Sequence, residues 1–292
     1  MDYSVERETH LWLPAGEPKA VIQIIHGMAE HIGRYEQTAK ELNRAGYAVA
    51  GINLRGHGEN AERKGWFADK NGWGRLLEDH RELTLQMRKR FPGKPLVLLG
   101  HSMGSFLARE YAIRWKGDMD ALVLSGTGHY DKMLCGTGKV LASVSPRKRP
   151  AHLVNSIAFT GNNKAFTPAR TGFEWLCRDE KEVDAYVASP LCGFVFTGSA
   201  FRDFFGGLVK LCDTSRLESI RRDLPVLFIS GDQDPVGQMG KGVKITAEEY
   251  RKAGISDVKV NLYPGARHEL FHETNRDEAI RDLTGWLDRY FA

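Results

Sequence analysis

Short apolar runs recur along the chain at positions 20–25, 47–53, 96–99, 121–125 and 226–230, with an alternating run at 258–262. A run with no polar face is the signature of a strand covered by helices on both sides. Between these runs the apolar positions fall at helical spacing. Residues 33–46 form an amphipathic stretch closed by Gly46. Residues 74–91 form one with charged faces, stopped by Phe91-Pro-Gly-Lys-Pro95, and a final helix runs from about Glu273 to Tyr290. Strands alternating with helices predict a mostly parallel central sheet flanked by helices, an α/β fold. Residues 3–13 read as an edge strand or hairpin arm. The alternation breaks once. After 121–125 the next unmistakable buried strand starts at 226, far beyond the reach of a crossover. The pattern therefore predicts an inserted, mainly helical cap over residues 129–215, carried by a core built from 1–128 and 216–292.

The chemistry-bearing residues cluster where the predicted strands end. Residues 96–99 run directly into Gly100-His-Ser-Met-Gly104, and a helical pattern starts at Ser105. Strand, G-x-S-x-G and helix in succession make the nucleophile elbow of the α/β-hydrolase fold. This turn is tight enough to strain the serine and to exclude β-carbons at the glycines. Ser102 is thus the candidate nucleophile, at a helix N-terminus that favours negative charge. The strand at 20–25 runs into His26-Gly-Met-Ala-Glu-His31. In this fold that loop supplies an oxyanion N–H, which points to Met28, with Gly27 allowing close approach. Asp232 and Asp234 follow the strand at 226–230, where the fold places its acid. Asp234 precedes Pro235 and is biased to an extended backbone, whereas Asp232 suits a turn. His268 follows the last strand, with His272 as a competitor expected on the final helix. The order serine, aspartate, histidine is the one this fold uses. His57, in the loop Arg55-Gly-His-Gly58, reads as a packed loop residue, and that loop lacks the lysine of a phosphate cradle.

Composition narrows the setting. The 292 residues are 42% hydrophobic and carry a formal net charge of +4. That allows a sizeable core and gives no case for nucleic acid, while weak attraction to anionic lipid is compatible with it. Cys135, Cys177, Cys192 and Cys212 lack metal or redox spacing, so neither a metal nor another cofactor is expected, and reduced thiols suit a cytoplasmic protein. The N-terminal residues are charged, without the apolar stretch of a leader, and no run approaches the ~18 apolar residues of a membrane span. Oligomeric state is not legible. Phe194, Phe196, Phe201, Phe204 and Phe205 form an aromatic cluster in the cap, serving either as core or as an acyl pocket; the first three are the candidate substrate contacts. Arg147-Lys-Arg149 reads as a solvated turn, with lipid-headgroup contact as the lesser alternative. Any peripheral membrane contact would go through the cap.

Five pieces spread over nearly the whole chain carry a family resemblance: His26-Gly-Met-Ala-Glu-His-Ile-Gly-Arg-Tyr35, Leu54-Arg-Gly-His-Gly58, Gly100-His-Ser-Met-Gly-Ser105, Gly231-Asp-Gln-Asp234 and Gly265-Ala-Arg-His-Glu269. The chain resembles the monoacylglycerol lipase and lysophospholipase branch of the α/β-hydrolases, grouped with serine aminopeptidase S33 sequences. The resemblance implies a serine hydrolase that cleaves single-chain lipid esters through an acyl-enzyme. It implies Ser102 as nucleophile, Asp234 as acid, His268 as base and backbone donors at Met28 and Met103. Asn53 and Asn60 depart from the family's usual Asp and Ser, which touches loop packing and not the triad. Three other readings compete. One is a small-ester carboxylesterase. Another is a proline-iminopeptidase-like aminopeptidase gripping an amine with Glu174, Asp179, Glu180, Glu182 and Asp184. The third, a non-catalytic ligand-binding descendant, is disfavoured by the intact triad.

Overall fold

A computed structural model describes residues 3–292. Among them seven strands form one sheet: β1 (Thr9–Trp12), β2 (Val21–Ile25), β3 (Ala48–Ile52), β4 (Leu96–His101), β5 (Ala121–Ser125), β6 (Val226–Gly231) and β7 (Val258–Tyr263). The spatial order is β1-β3-β2-β4-β5-β6-β7. Edge strand β1 runs antiparallel to β3, and the other pairings are parallel. The helices are α1 (Val5–Glu8), α2 (Glu36–Arg44), α3 (Gly72–Arg90), α4 (Met103–Arg114), α5 (Lys132–Ser143), α6 (His152–Phe159), α7 (Glu180–Ala188), α8 (Gly198–Leu211), α9 (Lys241–Lys252) and α10 (Arg276–Phe291).

Side chains on the strands alternate between two cores, as the pleat requires. Leu96 and Leu98 of β4 enter one, Val97 and Leu99 the other. Helices α3, α4, α8 and α9 cover the first, and α2 and α10 the second. Parallel register brings strand ends level: Ile25 pairs with Gly100, and Gly231 with Tyr263. The loops leaving β2, β4, β6 and β7 carry Met28, Ser102, Asp234 and His268. They lie along the sheet edge where open α/β folds bind ligands.

Helices α5 to α8 fill the long interval between β5 and β6. Helix α8 is clamped onto α3, since a Cβ at Gly207 would lie 2.4 Å from the Trp73 indole. Its Phe201, Phe204 and Leu208 belong to the first core. Helix α5 packs on α8 in turn, with Gly138 against the Phe205 ring. Leu176, Tyr186 and Cys192 form a small apolar cluster of their own.

Three local expectations need correction. Residues 3–13 are not extended throughout: α1 precedes β1. There Glu8 is drawn inward to accept from Asn53 Nδ2 at 3.0 Å, while Asn53 Oδ1 accepts from Ile32 N–H at 3.0 Å. A carboxylate from the edge segment thus stands beside Asn53, where the family usually carries its own. The stretch 33–46 begins as a 3-10 turn, Ile32–Tyr35, before α2. His272 lies on a 3-10 turn, Leu270–His272, and α10 starts only at Arg276. The cause is Glu273, whose buried carboxylate accepts from Arg178 N–H, Arg267 N–H and Thr274 N–H and so organises a loop instead of a helix. Arg147 and Lys148 are exposed but tethered, both to Asp69.

Candidate active site

Ser102 joins β4 to α4 with φ +54° and ψ −121°, a region that costs a non-glycine residue on the order of 1–3 kcal/mol. The surroundings hold it there. Ser102 N–H donates to Ser125 O at 2.9 Å, and a Cβ at Gly104 would fall 2.0 Å from Ile25 O. The hydroxyl stands at the cavity wall and is not hydrogen-bonded to His268. Such bonds are often long before substrate is bound.

The turn after β2 is fixed through both backbone groups of Gly27 and both of Ala29. Gly27 N–H donates to Glu30 Oε1, and Gly27 O accepts from His26 Nδ1 at 2.8 Å. Ala29, at φ +52°, donates its N–H to His57 Nε2 at 3.2 Å. Its carbonyl accepts from Gly193 N–H at 2.9 Å and Tyr186 OH at 3.0 Å. Met28 N–H has no acceptor among the described residues, and neither does Met103 N–H, the first of α4. Both residues line the cavity with Ser102. Two unengaged amides beside a serine hydroxyl match what a developing oxyanion requires.

His268 Nδ1 lies 3.0 Å from both Asp234 oxygens. Asp234 is fully buried and also accepts from Val236 N–H at 2.8 Å and Ser230 Oγ at 3.3 Å. Burial pushes the His268 imidazole down, but the Asp234 carboxylate, helped by Glu269 and Glu30, more than offsets this and leaves its pKa raised. The remaining Nε2 is the atom free to face Ser102. Asp232 instead accepts from Gly265 N–H at 2.8 Å, shaping the loop that carries His268. His272 donates to Arg34 O at 3.2 Å, and burial pushes its pKa down to about 4. His57 does not line the cavity.

Above Ser102 the cavity is walled by Phe106, Phe159, Phe173, Trp175, Phe194 and Phe204. Of the three phenylalanines expected at substrate, Phe194 is in place. Phe196 and Phe201 are not: both are fully buried behind it, within the first core. Sequence reasoning missed Phe106 on α4 and Trp175, whose ring lies 5.0 Å from that of His268. It also missed a buried charge cluster at the polar end. Arg34 donates to Glu30 at 2.9 Å and, through two nitrogens, to Glu269 at 2.6 and 2.7 Å. Burial works against the Glu269 carboxylate, yet the Arg34 guanidinium holds its pKa well below the usual range. Glu30 and Arg34 stand at the i, i+4 spacing of a paired turn, a readable signal. Glu269 lies too far along the chain for any spacing to find. Among the described residues no group of His, Cys, Asp and Glu is placed to hold a metal ion, and no helix is long and apolar enough to cross a membrane.

Comparison with known proteins agrees with this arrangement. Residues 16–275 match the family described as serine aminopeptidase, S33. A monoacylglycerol lipase of Mycolicibacterium smegmatis is 28% identical over 282 residues, spanning 95% of this chain and 91% of its own. The monoglyceride lipase of Homo sapiens is 30% identical over 286 residues, spanning 96% and 86%. A crystal structure of a thermostable carboxyl esterase from Bacillus coagulans, in complex with glycerol, superposes with a TM-score of 0.90 at 26% identity, over 97% of this chain and 94% of that one. The strained elbow, the seven-stranded sheet and these matches along nearly its whole length make this chain a member of the serine aminopeptidase S33 family of α/β-hydrolases.

Proposed function

We propose that the protein hydrolyses carboxylic esters of single-chain lipids through an acyl-enzyme on Ser102. The observation that carries this reading is one cavity that joins the strained Ser102, the Asp234-paired His268 and a wall of aromatic rings. His268 Nε2 takes the hydroxyl proton as Ser102 Oγ bonds to the ester carbon. The carbonyl oxygen becomes an oxyanion held by the N–H groups of Met28 and Met103, each such donor contributing about 3 kcal/mol. Collapse breaks the bond to the alcohol, which leaves with the proton from His268. Water repeats the path to release the acid. Asp234 keeps the imidazole in its productive tautomer and stabilises the cation.

The lining favours an acyl chain at one end and an uncharged alcohol at the other. The charged side chains at the polar end of the wall are Glu30 and Glu269, and the cation behind them, Arg34, is fully engaged by both. A phosphate would meet carboxylates there and no free cation, so a polyol ester fits better than an anionic lysophospholipid. The amine grip of an aminopeptidase lacks support, because Glu174, Asp179, Glu180, Glu182 and Asp184 do not line the cavity. Residues 129–215 act as a cap over the acyl end. Its outer face exposes Met133, Leu134, Val140, Leu153 and Ile157, an apolar surface on α5 and α6 suited to peripheral contact with a lipid interface.

A fluorophosphonate probe and a panel of monoacylglycerol, lysophosphatidate, p-nitrophenyl esters and aminoacyl anilides test the reading. Labelling at Ser102 with monoacylglycerol as the preferred natural ester is the expected result. Preference for anilides, or no labelling of Ser102, would overturn it.

A further inference from the structure

The turn that presents Met28 N–H is held from two directions by side chains outside the triad, one of which, Tyr186, is also part of the cavity wall. On one side stands His57, in the loop after β3. Its Nδ1–H donates to Arg55 O at 3.1 Å, which fixes the tautomer and leaves Nε2 to accept Ala29 N–H at 3.2 Å. On the other side stands Tyr186 of α7, whose hydroxyl donates to Ala29 O at 3.0 Å, beside Gly193 N–H on the same oxygen. Both supports are buried, Tyr186 at 6% and His57 at 2% exposure. Ala29 has φ +52°, unfavourable for a residue with a Cβ, so the turn needs outside partners to keep its shape. Phe194, next to Gly193, packs edge-on to the His57 ring at 5.2 Å, so the segment that carries Gly193 also touches the His57 side of the turn.

We propose that His57 and Tyr186 are positioning residues for the oxyanion turn, gripping the two backbone polar groups of Ala29 so that Met28 N–H stays aimed at the oxygen above Ser102. The inference rests on the acyl-transfer reading above. It adds that the segment between β5 and β6 does more than enclose substrate: through Tyr186 and Gly193 it sets the geometry of the hole. An alkoxide is shorter-lived and more demanding than the ester it comes from, so loosening the turn weakens transition-state binding and leaves ground-state binding nearly intact. His57 can serve as an acceptor only while neutral, and burial pushes its pKa down to about 4. The rings packed against it are that of His26, itself held well below its ordinary pKa by burial, and the uncharged Phe67, Phe194 and Phe196, and the cleft it borders on its other side also carries Glu8, Arg55, Glu62, Arg63 and Asp69.

The test uses the full-length protein with a monoacyl ester and a trifluoromethyl ketone. The ketone adds Ser102 Oγ to its carbonyl and places an oxyanion in the hole, the hydroxyl proton passing to His268. Tyr186→Phe removes one hydroxyl. His57→Gln keeps a side-chain acceptor, and His57→Leu removes it. Tyr186→Phe and His57→Leu should each lower kcat by roughly tenfold, less than the ~10²–10³ lost when an oxyanion donor is removed outright. KM should change less than about twofold, and ketone affinity should fall in parallel with kcat/KM. His57→Gln should recover a measurable part of the leucine variant's loss. Kcat within about twofold of wild type in Tyr186→Phe with unchanged ketone affinity, or losses confined to KM, would overturn the inference. If His57→Leu does not fold, Tyr186→Phe alone decides. Failure of the acyl-transfer reading is separately visible, as a wild-type protein that neither turns over the ester nor binds the ketone.

Discussion

At the residue scale the functional reading depends on which of several similar side chains does what, and the structure separates them by their partners. His268 faces Asp234 while His272 supports Arg34 O. Replacing Ser102 or His268 by alanine should each lower kcat by at least about a thousandfold, and the double variant should lose little more, because members of such a unit do not act additively. His272→Ala should cost far less; steady-state kinetics of the four proteins check this. The pH profile offers a second check. His268 acts as a base only when neutral, and its pKa is raised, so activity should be lost as pH falls, with the acid limb of kcat/KM above the ordinary ~6.5 of imidazole. A limb below that value would mean that Asp234 does not hold the imidazole as described. Ser102, Asp234 and His268 were legible in sequence because each follows a strand at a fixed place in the fold. Arg34 with Glu269 was not, since 235 positions separate partners that meet only after folding.

At the scale of elements, strands and helices were legible because buried parallel strands and amphipathic helices have different periods. The pattern failed where a side chain competes with backbone pairing, as Glu273 does before α10. The aromatic residues of the long insertion were ambiguous for a related reason. Phe194, Phe196 and Phe201 look alike in sequence, and only packing decides that Phe194 reaches the cavity while the other two fill core. The outer face of α5 and α6 carries its own prediction. Leu134 and Ile157 are 64% and 65% exposed, so changing both to serine should leave folding and turnover of a dissolved short-chain ester unchanged. Cosedimentation with phosphatidylcholine vesicles should fall. Undiminished vesicle binding would mean that this face does not meet lipid.

At the scale of the whole molecule, buried neutral histidines make stability depend on pH. Burial pushes His57 and His272 down to about 4, and His80 and His101 down to about 3. A depressed folded-state value means that the unfolded chain binds the proton first. The contribution of these groups is therefore full above ~6.5 and is lost as pH falls toward 4 and 3. His268 has the opposite sign, its contribution being full below ~6.5 and lost as pH rises through its raised value, but it is one group against these four and His26, which burial also holds well below its ordinary value. The melting temperature should accordingly drop between pH 7 and pH 4.5, and a flat profile would contradict the burial described. The same enclosed architecture governs substrate choice. Each methylene of an acyl chain buried against the aromatic wall contributes up to ~0.8 kcal/mol, which can orient the ester at Ser102. The most direct test of the central claim is kcat/KM for monoacylglycerols from acetyl to palmitoyl, beside a triacylglycerol, for the wild type and Ser102→Ala. Efficiency should rise with chain length until the pocket is full, with little triacylglycerol hydrolysis and no turnover without the serine hydroxyl. A maximum at acetyl, efficient triacylglycerol cleavage, or undiminished activity in Ser102→Ala would contradict that claim.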